Sequence, residues 1–448
     1  MNSAGLYKTK SGDKVLTAQK EKLLYNIISC DTTGNCNIRC KFCFNNWEKL
    51  GANVSMSEDI FKKMIQLLPL AKDNSFYLSC LFEPFINKNF ADFLAYVPEE
   101  YRQKCFFTTN LVAPLSDEQI DKLSKAHIDH INISMESLEE GTYNDLCEKS
   151  NFKTYSDNLR RLTEAFRKAE NPPKLRYITM ILRANYKELP FIAYRCKNEF
   201  LSSANEFRTP YVGPNMRLEW LDDQILTKKE LADLTGLLGC IGIPMEIDTG
   251  TDTDSYAKTI ETKRERSEEE FIKEESENRC YELRVSSNGL VKVYAENKCY
   301  DLHDIDNPYE FFLEKLKSVY RDRLKKNEYT GDISDAEVIA GDMFCIDRFT
   351  DSDGILGFEG WAAVGGQNMS EFKKYIVLRS GSVRKVYEAQ SVSRPDVASA
   401  LGNEGYTESG FKVNADSEGF SSDTEVFMLF KNDSGKSFIK RFSDALAF

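Results

Sequence analysis

Three cysteines crowd the run CNIRCKFCF near the start of the chain: Cys36, Cys40 and Cys43, with three and then two residues between them. Thiolates at that spacing can ligate three irons of a four-iron cubane and leave the fourth iron open to another ligand. A structural zinc site needs a fourth protein ligand. The next cysteine is Cys80, and the three histidines, His127, His130 and His303, come later still. A closed zinc site is therefore the weaker reading. So few histidines also leave little room for imidazole acid-base chemistry, and catalysis is expected to rest on cysteine.

The rest of the composition narrows the setting. Twelve cysteines in 448 residues, behind a start (MNSAGLYKTKSGDK) that lacks an apolar core or a cleavage pattern, point to a cytoplasmic chain with reduced thiols. Metal binding and burial account for them better than a disulfide framework. The most apolar later window, LTGLLGCIGIPMEI, is too short and too broken by proline to span a bilayer. A net charge of -12 disfavours nucleic acid, which needs a concentrated Lys/Arg face. The length exceeds what one core organises, so two or three domains are expected.

The cysteine run needs elements to hold it, and these are legible as an α/β pattern. After an N-terminal segment over 1–24, residues 25–250 alternate apolar strands with amphipathic helices, as parallel strands joined by crossover helices do. YNIISC ends at Cys30, just before the cysteines. Behind Ser57, a plausible N-cap, Ile60, Met64, Leu67 and Leu68 share a helical face. Strands FYLSC and CFFTTN follow, then a capping-box pattern at Ser116 and Gln119 before Ile120 and Leu123. In HINISME the period of two sets Ile131, Ile133 and Met135 against Asn132, Ser134 and Glu136. Leu159, Leu162 and Phe166 mark a further helix before LRYITMIL and EFRTPYV. Six β/α units make an open, partial (β/α)6 barrel rather than a closed one. Residues 251–278 are polar and read as a charged linker or solvated helix. Residues 279–349 form a small α+β extension whose hairpin, LRVSSNGLVKVYAE, turns at Asn288 and Gly289. Residues 350–448, with runs such as YIVLRS, VRKVYEA and EVFMLF, read as an all-β sandwich.

The CxxxCxxC run, with Phe42 before the last cysteine and the β/α pattern behind it, resembles the radical S-adenosylmethionine (radical SAM) superfamily over residues 25–250. The resemblance implies a 4Fe-4S cluster on Cys36, Cys40 and Cys43. It also implies S-adenosylmethionine chelated to the open iron and split reductively to a 5′-deoxyadenosyl radical, with electrons from a donor such as flavodoxin or ferredoxin. It places the backbone of Phe42 against the adenine. Where the family has Gly-Gly-Glu-Pro, this chain reads Leu81-Phe82-Glu83-Pro84, which keeps Glu83 as expected partner of the cofactor amine but puts the backbone approach in doubt. Asn110 stands at the family's Thr-Asn position. Ser134 and Glu136 stand where ribose or carboxylate contacts are expected, although aspartate is commoner at the latter. The plainer readings are a surface acid for Glu83 and a loop or capping residue for Asn110.

NRCYELRVSSNGLVKVYAENKCYDLHDI resembles a degenerate SPASM or twitch extension. Cys280 precedes the hairpin, but Tyr294 occupies the next cysteine position, which leaves Cys280, Cys299 and Cys345 for a possible auxiliary cluster, against buried free thiols. Cys30, Cys80, Cys105, Cys147, Cys196 and Cys240 read as core or incidental. The last segment, with Gly360-Trp361-Ala362, Arg394 to Val397 and Gly410-Phe411, resembles a module on enzymes of surface-polysaccharide synthesis. There Trp361 reads as a buried anchor and Arg394 with Asp396 as an ion pair. The implied function is hydrogen abstraction from a small-molecule or glycan substrate, a carbohydrate or cell-surface precursor, ending in oxidation, deamination, dehydration or epimerisation. A peptide-modifying SPASM-type maturase and a non-catalytic glycan-binding scaffold are the alternatives.

Overall fold

The computed structural model describes residues 15–43, 45, 53–210, 218–242, 244–248, 250–265, 268–339, 343–443 and 445–447. The start of the chain, the last residues of EFRTPYV and part of KRERSEEEFIKEESENR lie outside them. The chain divides into two compact units, Leu24–Phe312 and a second made of Met1–Leu23 with Leu313–Phe448.

Seven strands of the first unit run parallel in chain order: β1 (Ile27–Cys30), β2 (Phe76–Ser79), β3 (Cys105–Thr109), β4 (His130–Ser134), β5 (Lys174–Met180), β6 (Ser202–Arg208) and β7 (Met245–Asp248). Their crossovers carry α1 (Glu58–Met64), α2 (Asp117–Ser124), α3 (Glu140–Leu146), α4 (Phe152–Lys168), α5 (Leu189–Asn198) and α6 (Lys228–Gly239). On the other side of β1 lie β8 (Glu282–Val285), parallel to it, and the antiparallel β9 (Leu290–Val293) and β10 (Lys298–Asp301). The ends of this ten-stranded sheet, β7 and β10, do not pair, so the barrel is open as expected, with β7 as an extra strand.

Local chemistry explains the elements. Ser57 caps α1 by accepting the Ile60 N–H at 3.3 Å. Pro69 then tightens the expected single helix into a 3₁₀ turn over Ile65–Leu70 that still buries Leu67 and Leu68. The capping box of α2 is formed in both directions, at 3.1 and 3.0 Å. Along β5, Leu175, Tyr177 and Thr179 are buried while Arg176, Ile178 and Met180 stay half-open, and β6 alternates likewise, with Glu206 and Arg208 on its open face. The polar stretch after residue 250 is helical, as α7 (Thr253–Glu265) and α8 (Glu268–Asn278). The β8–β9 hairpin turns at Gly289, whose φ of +87° suits glycine.

The second unit is built on β11 (Phe344–Ser352), β12 (Ile355–Ala362), β13 (Lys373–Ser380), β14 (Val383–Val392), β15 (Gly410–Asp416), β16 (Glu425–Lys431) and β17 (Ser437–Ser443), antiparallel to one another. β14 pairs with β13 along most of its length and, through Gln390–Val392, with β15, so one strand passes between the two halves of the sheet. Tyr375, Val377, Val386 and Leu429 form a core cluster there. Trp361 is half-buried on β12 rather than a fully buried anchor, and Arg394 pairs with Asp396 at 2.9 Å and with Asp347 at 2.6 Å. Gly360 faces β11 so closely that a Cβ there would collide with the Cys345 carbonyl.

Candidate active site

The loop that leaves β1 begins with Asp31, which is 1% exposed. Its Oδ1 accepts the backbone N–H groups of Cys80, Leu81 and Phe82 at 3.2, 2.7 and 3.3 Å, and its Oδ2 meets the Arg284 guanidinium from β8. Burial pushes this carboxyl above the usual range, against the pull of Arg284. One side chain thus ties the cysteine loop to the turn after β2. Neither Leu81 nor Phe82 has positive φ, so that turn does not use glycine's freedom.

Glu83 follows, buried at 2% exposure rather than lying on the surface. Thr109 donates its hydroxyl to both carboxylate oxygens at 2.9 and 3.1 Å, the Asn110 N–H reaches Oε2 at 2.7 Å and the Phe85 N–H reaches Oε1 at 3.2 Å. Burial still pushes the carboxyl up to about 7. Asn110 is the link to sulfur, because its Nδ2 donates to Cys36 Sγ at 3.3 Å and to Asn37 Oδ1 at 2.9 Å while its Oδ1 accepts the Val112 N–H at 2.9 Å.

Cys36, Cys40 and Cys43 are all half-buried, and Phe42 is half-buried in the turn between the last two. Cys40 belongs to a two-residue strand, Arg39–Cys40, paired antiparallel with Cys147–Glu148. Its Sγ lies 3.7 Å from Cys147 Sγ. Cys147, expected to be incidental, is therefore, like Asp31, a residue of this region that the sequence did not disclose, since the two thiols stand 107 positions apart. Ser134 is half-buried at the end of β4. Glu136, two residues on and 4% exposed, accepts the Met180 N–H at 2.9 Å and is pushed up to about 7 by burial.

The open face of the sheet is polar. Arg176 lies 3.9 Å from Glu206 and 3.7 Å from Glu246, and Arg208 pairs with Glu206. Burial first, and then the negative charges of Cys80 and Glu206, shift Tyr77, on β2, upward against the pull of Arg208 and Arg176. Asn132 is 5% exposed, and its Oδ1 has no hydrogen-bond partner.

Residues 31–193, from Asp31 through the cysteines to the start of α5, match the family model of the Radical SAM superfamily. This stretch is a radical SAM domain. No curated protein matches the sequence. Among solved structures, the chain is similar to SuiB of Streptococcus suis bound to S-adenosylmethionine, at 13% identity and a TM-score of 0.46, covering 65% of this chain and 66% of SuiB, just under two thirds. It is also similar to the FeFe-hydrogenase maturase HydG of Carboxydothermus hydrogenoformans (14% identity, TM-score 0.32, covering 50% and 59%). BtrN in complex with AdoMet and 2-DOIA is a third (13% identity, TM-score 0.30, 68% and 91%).

A radical SAM domain implies a 4Fe-4S cluster and S-adenosylmethionine, and the donor set here fits. The three thiols share one loop; Cys36 and Cys43 each feel the charge of Cys40, while Cys40 itself is raised first by its contact with Cys147 and then by burial. Burial and then Glu83, with lesser effects of Cys40 and Cys43, push Cys36 up to about 12, and burial first of all pushes Cys43 up to about 11. Such thiols stay protonated on their own and become thiolates beside a cationic metal group. Among the described residues no three His, Cys, Asp or Glu side chains are grouped closely enough to hold a metal ion; Cys36 faces Asn110 and Cys40 faces Cys147. Of the residues considered for an auxiliary cluster, Cys280 is buried, Cys299 is exposed on β10, and Cys345 belongs to the second unit. Tyr294 is buried with the Arg279 guanidinium 3.8 Å from its ring centre. Among the described residues no helix is long and apolar enough to cross a membrane.

Proposed function

We propose that this protein is a radical SAM enzyme that abstracts hydrogen from a carbohydrate or cell-surface polysaccharide precursor, with Cys36, Cys40 and Cys43 holding the cluster. The observation that carries the chemistry is the hydrogen-bonded chain from Asp31 through the Leu81–Pro84 turn and Glu83 to Asn110 and Cys36 Sγ, which joins three of the positions that the family resemblance marks. When bound, cluster and S-adenosylmethionine supply a carbon-centred radical strong enough to take hydrogen from an unactivated C–H bond.

The chain's own residues position and shield. Asn110 fixes Cys36 and Asp31 fixes the turn that presents Glu83. The backbone of Phe42 is assigned to the adenine, Glu83 to the amine, and Ser134 and Glu136 to ribose or carboxylate. The polar open face, with Arg176, Glu206, Arg208 and the unmatched Asn132 Oδ1, suits a hydroxyl-rich substrate better than an apolar one. In this reading residues 25–250 carry the chemistry, 279–349 form the degenerate extension and 350–448 a binding or assembly module, with electrons from a donor such as flavodoxin or ferredoxin.

Anaerobic reconstitution with iron and sulfide tests this, read by iron counting, low-temperature paramagnetic resonance and 5′-deoxyadenosine formation after dithionite reduction. The expected result is about four irons per chain and cofactor cleavage that disappears in Cys36→Ala. About eight irons would revive the auxiliary cluster. Absence of both iron and cleavage would overturn the enzyme reading.

A further inference from the structure

We infer that Cys40 and Cys147 form a redox modification site: a dithiol that a peroxide converts to a disulfide, and that in this state withholds one of the three cluster thiols.

The backbone builds the pair. The Lys41 N–H donates to the Leu146 carbonyl at 2.9 Å, so positions 41 and 146 are a hydrogen-bonded pair and Cys40 and Cys147, directly opposite each other, occupy the adjoining non-hydrogen-bonded position. In that position antiparallel Cα atoms stand about 4.5 Å apart with side chains drawn together, inside the range that a disulfide spans. The sulfurs are already 3.7 Å apart. The segment that presents Cys147 is held on both sides. Leu146 and Tyr143 of α3 are buried before it, and after it the Ser150 N–H reaches the Cys147 carbonyl at 3.1 Å. Cys36, the motif neighbour that could compete for Cys40, is engaged with Asn110.

The reaction balances with a peroxide as oxidant. The sulfur of one cysteine attacks a peroxide oxygen, the O–O bond breaks, and hydrogen peroxide leaves one oxygen on sulfur as a sulfenic acid and the other as water. The second sulfur then attacks the sulfenic sulfur, the S–O bond breaks, and a second water departs with the two thiol protons accounted for. Two electrons pass from the thiols to the peroxide, and a dithiol reductant returns them. Because the second sulfur already stands 3.7 Å away, the sulfenic acid is captured intramolecularly once it forms. A disulfide at this site also spares Cys40 from oxidation to sulfinic acid.

The test uses full-length, metal-free protein treated with hydrogen peroxide, alkylated and digested without reduction. Mass spectrometry is expected to show one linked species joining the Cys40 and Cys147 peptides, with two of the twelve thiols lost. This readout does not depend on the cluster assignment, whereas the iron readout rests on it, so failure of either is recognised separately. Oxidised wild-type protein should take up at least tenfold less iron on reconstitution and recover after dithiothreitol. In Cys147→Ser, peroxide should cause a loss of uptake that dithiothreitol does not reverse, through overoxidised Cys40. Cys147→Ala serves the same purpose if the serine variant does not fold. A link between Cys36 and Cys43 or between either and Cys40, or sulfonic acid at Cys40 of the wild type, would overturn the proposal. So would a serine variant as reversible as the wild type.

Discussion

Asp31 decides more of this site than any other single residue. Its carboxylate satisfies three backbone donors and a guanidinium in a place water does not reach. Replacing it with alanine strands Arg284 and those N–H groups, and removing one partner of a buried pair costs about 3–5 kcal/mol. Asp31→Ala is thus expected to lower the stability of the first unit by that amount in urea unfolding, and adding Arg284→Met should restore part of it. A loss under about 1 kcal/mol would show that the network holds nothing together. Nothing in the sequence marks Asp31 out, since an aspartate after a strand reads as an ordinary turn residue. Glu83 and Asn110 were legible only as family positions. That both are buried and joined through the Asn110 N–H is a fact of the fold.

Elements show the same division. The strands of the first unit announce themselves by period and the helices by their caps, yet the two-residue ladder between Arg39–Cys40 and Cys147–Glu148 is too short to leave any pattern. In the second unit, β13 carries Lys374 into the core, fully buried, with its Nζ donating to Ser391 Oγ at 3.0 Å. Burial lowers its ammonium from 10.5 to about 8, against the pull of Glu408. Below pH 8 the folded and unfolded forms are both charged, and the fold bears the full desolvation cost. From about pH 8 upward the folded lysine sheds its proton while the unfolded one keeps it, so stability rises with pH toward 10. Above that the buried Tyr375 and Tyr387, both shifted upward mainly by burial, reverse the trend, because the unfolded chain loses protons that the fold retains. Urea titrations of the second unit at pH 7, 8.5 and 9.5 should show the rise. Over the whole interval between the folded and unfolded titrations it amounts to about 3–4 kcal/mol, because one proton bound only by the unfolded chain changes stability by about 1.4 kcal/mol for every pH unit. Lys374→Met should flatten it and be the more stable form at pH 7. A wild-type curve that is flat or falls over this interval would refute the assignment.

At the scale of the whole molecule, charge sets what the protein can meet. With 71 acidic and 59 basic residues, it should retain neither transfer RNA nor duplex DNA in a mobility-shift assay at physiological salt. Any dissociation constant is expected to exceed about 100 µM, the weak edge of non-specific binding. Micromolar, salt-sensitive retention would reopen a nucleic-acid substrate. The sequence by itself determined the spacing of the three cysteines, the parallel β/α order and the mainly β character of the last segment, because spacing, hydrophobic period and turn residues are local and survive in one dimension. It did not disclose the helix Pro395–Leu401 within that segment. Only the tertiary structure decided that the open barrel gains a seventh strand, that Asp31 rather than a glycine pair shapes the turn before Glu83, that a fourth cysteine meets Cys40, and that Cys345 belongs to the second unit. Each depends on groups tens to hundreds of residues apart being brought to within a few ångströms, and the free energy that brings them there comes from burying the whole core, which no short window of sequence contains.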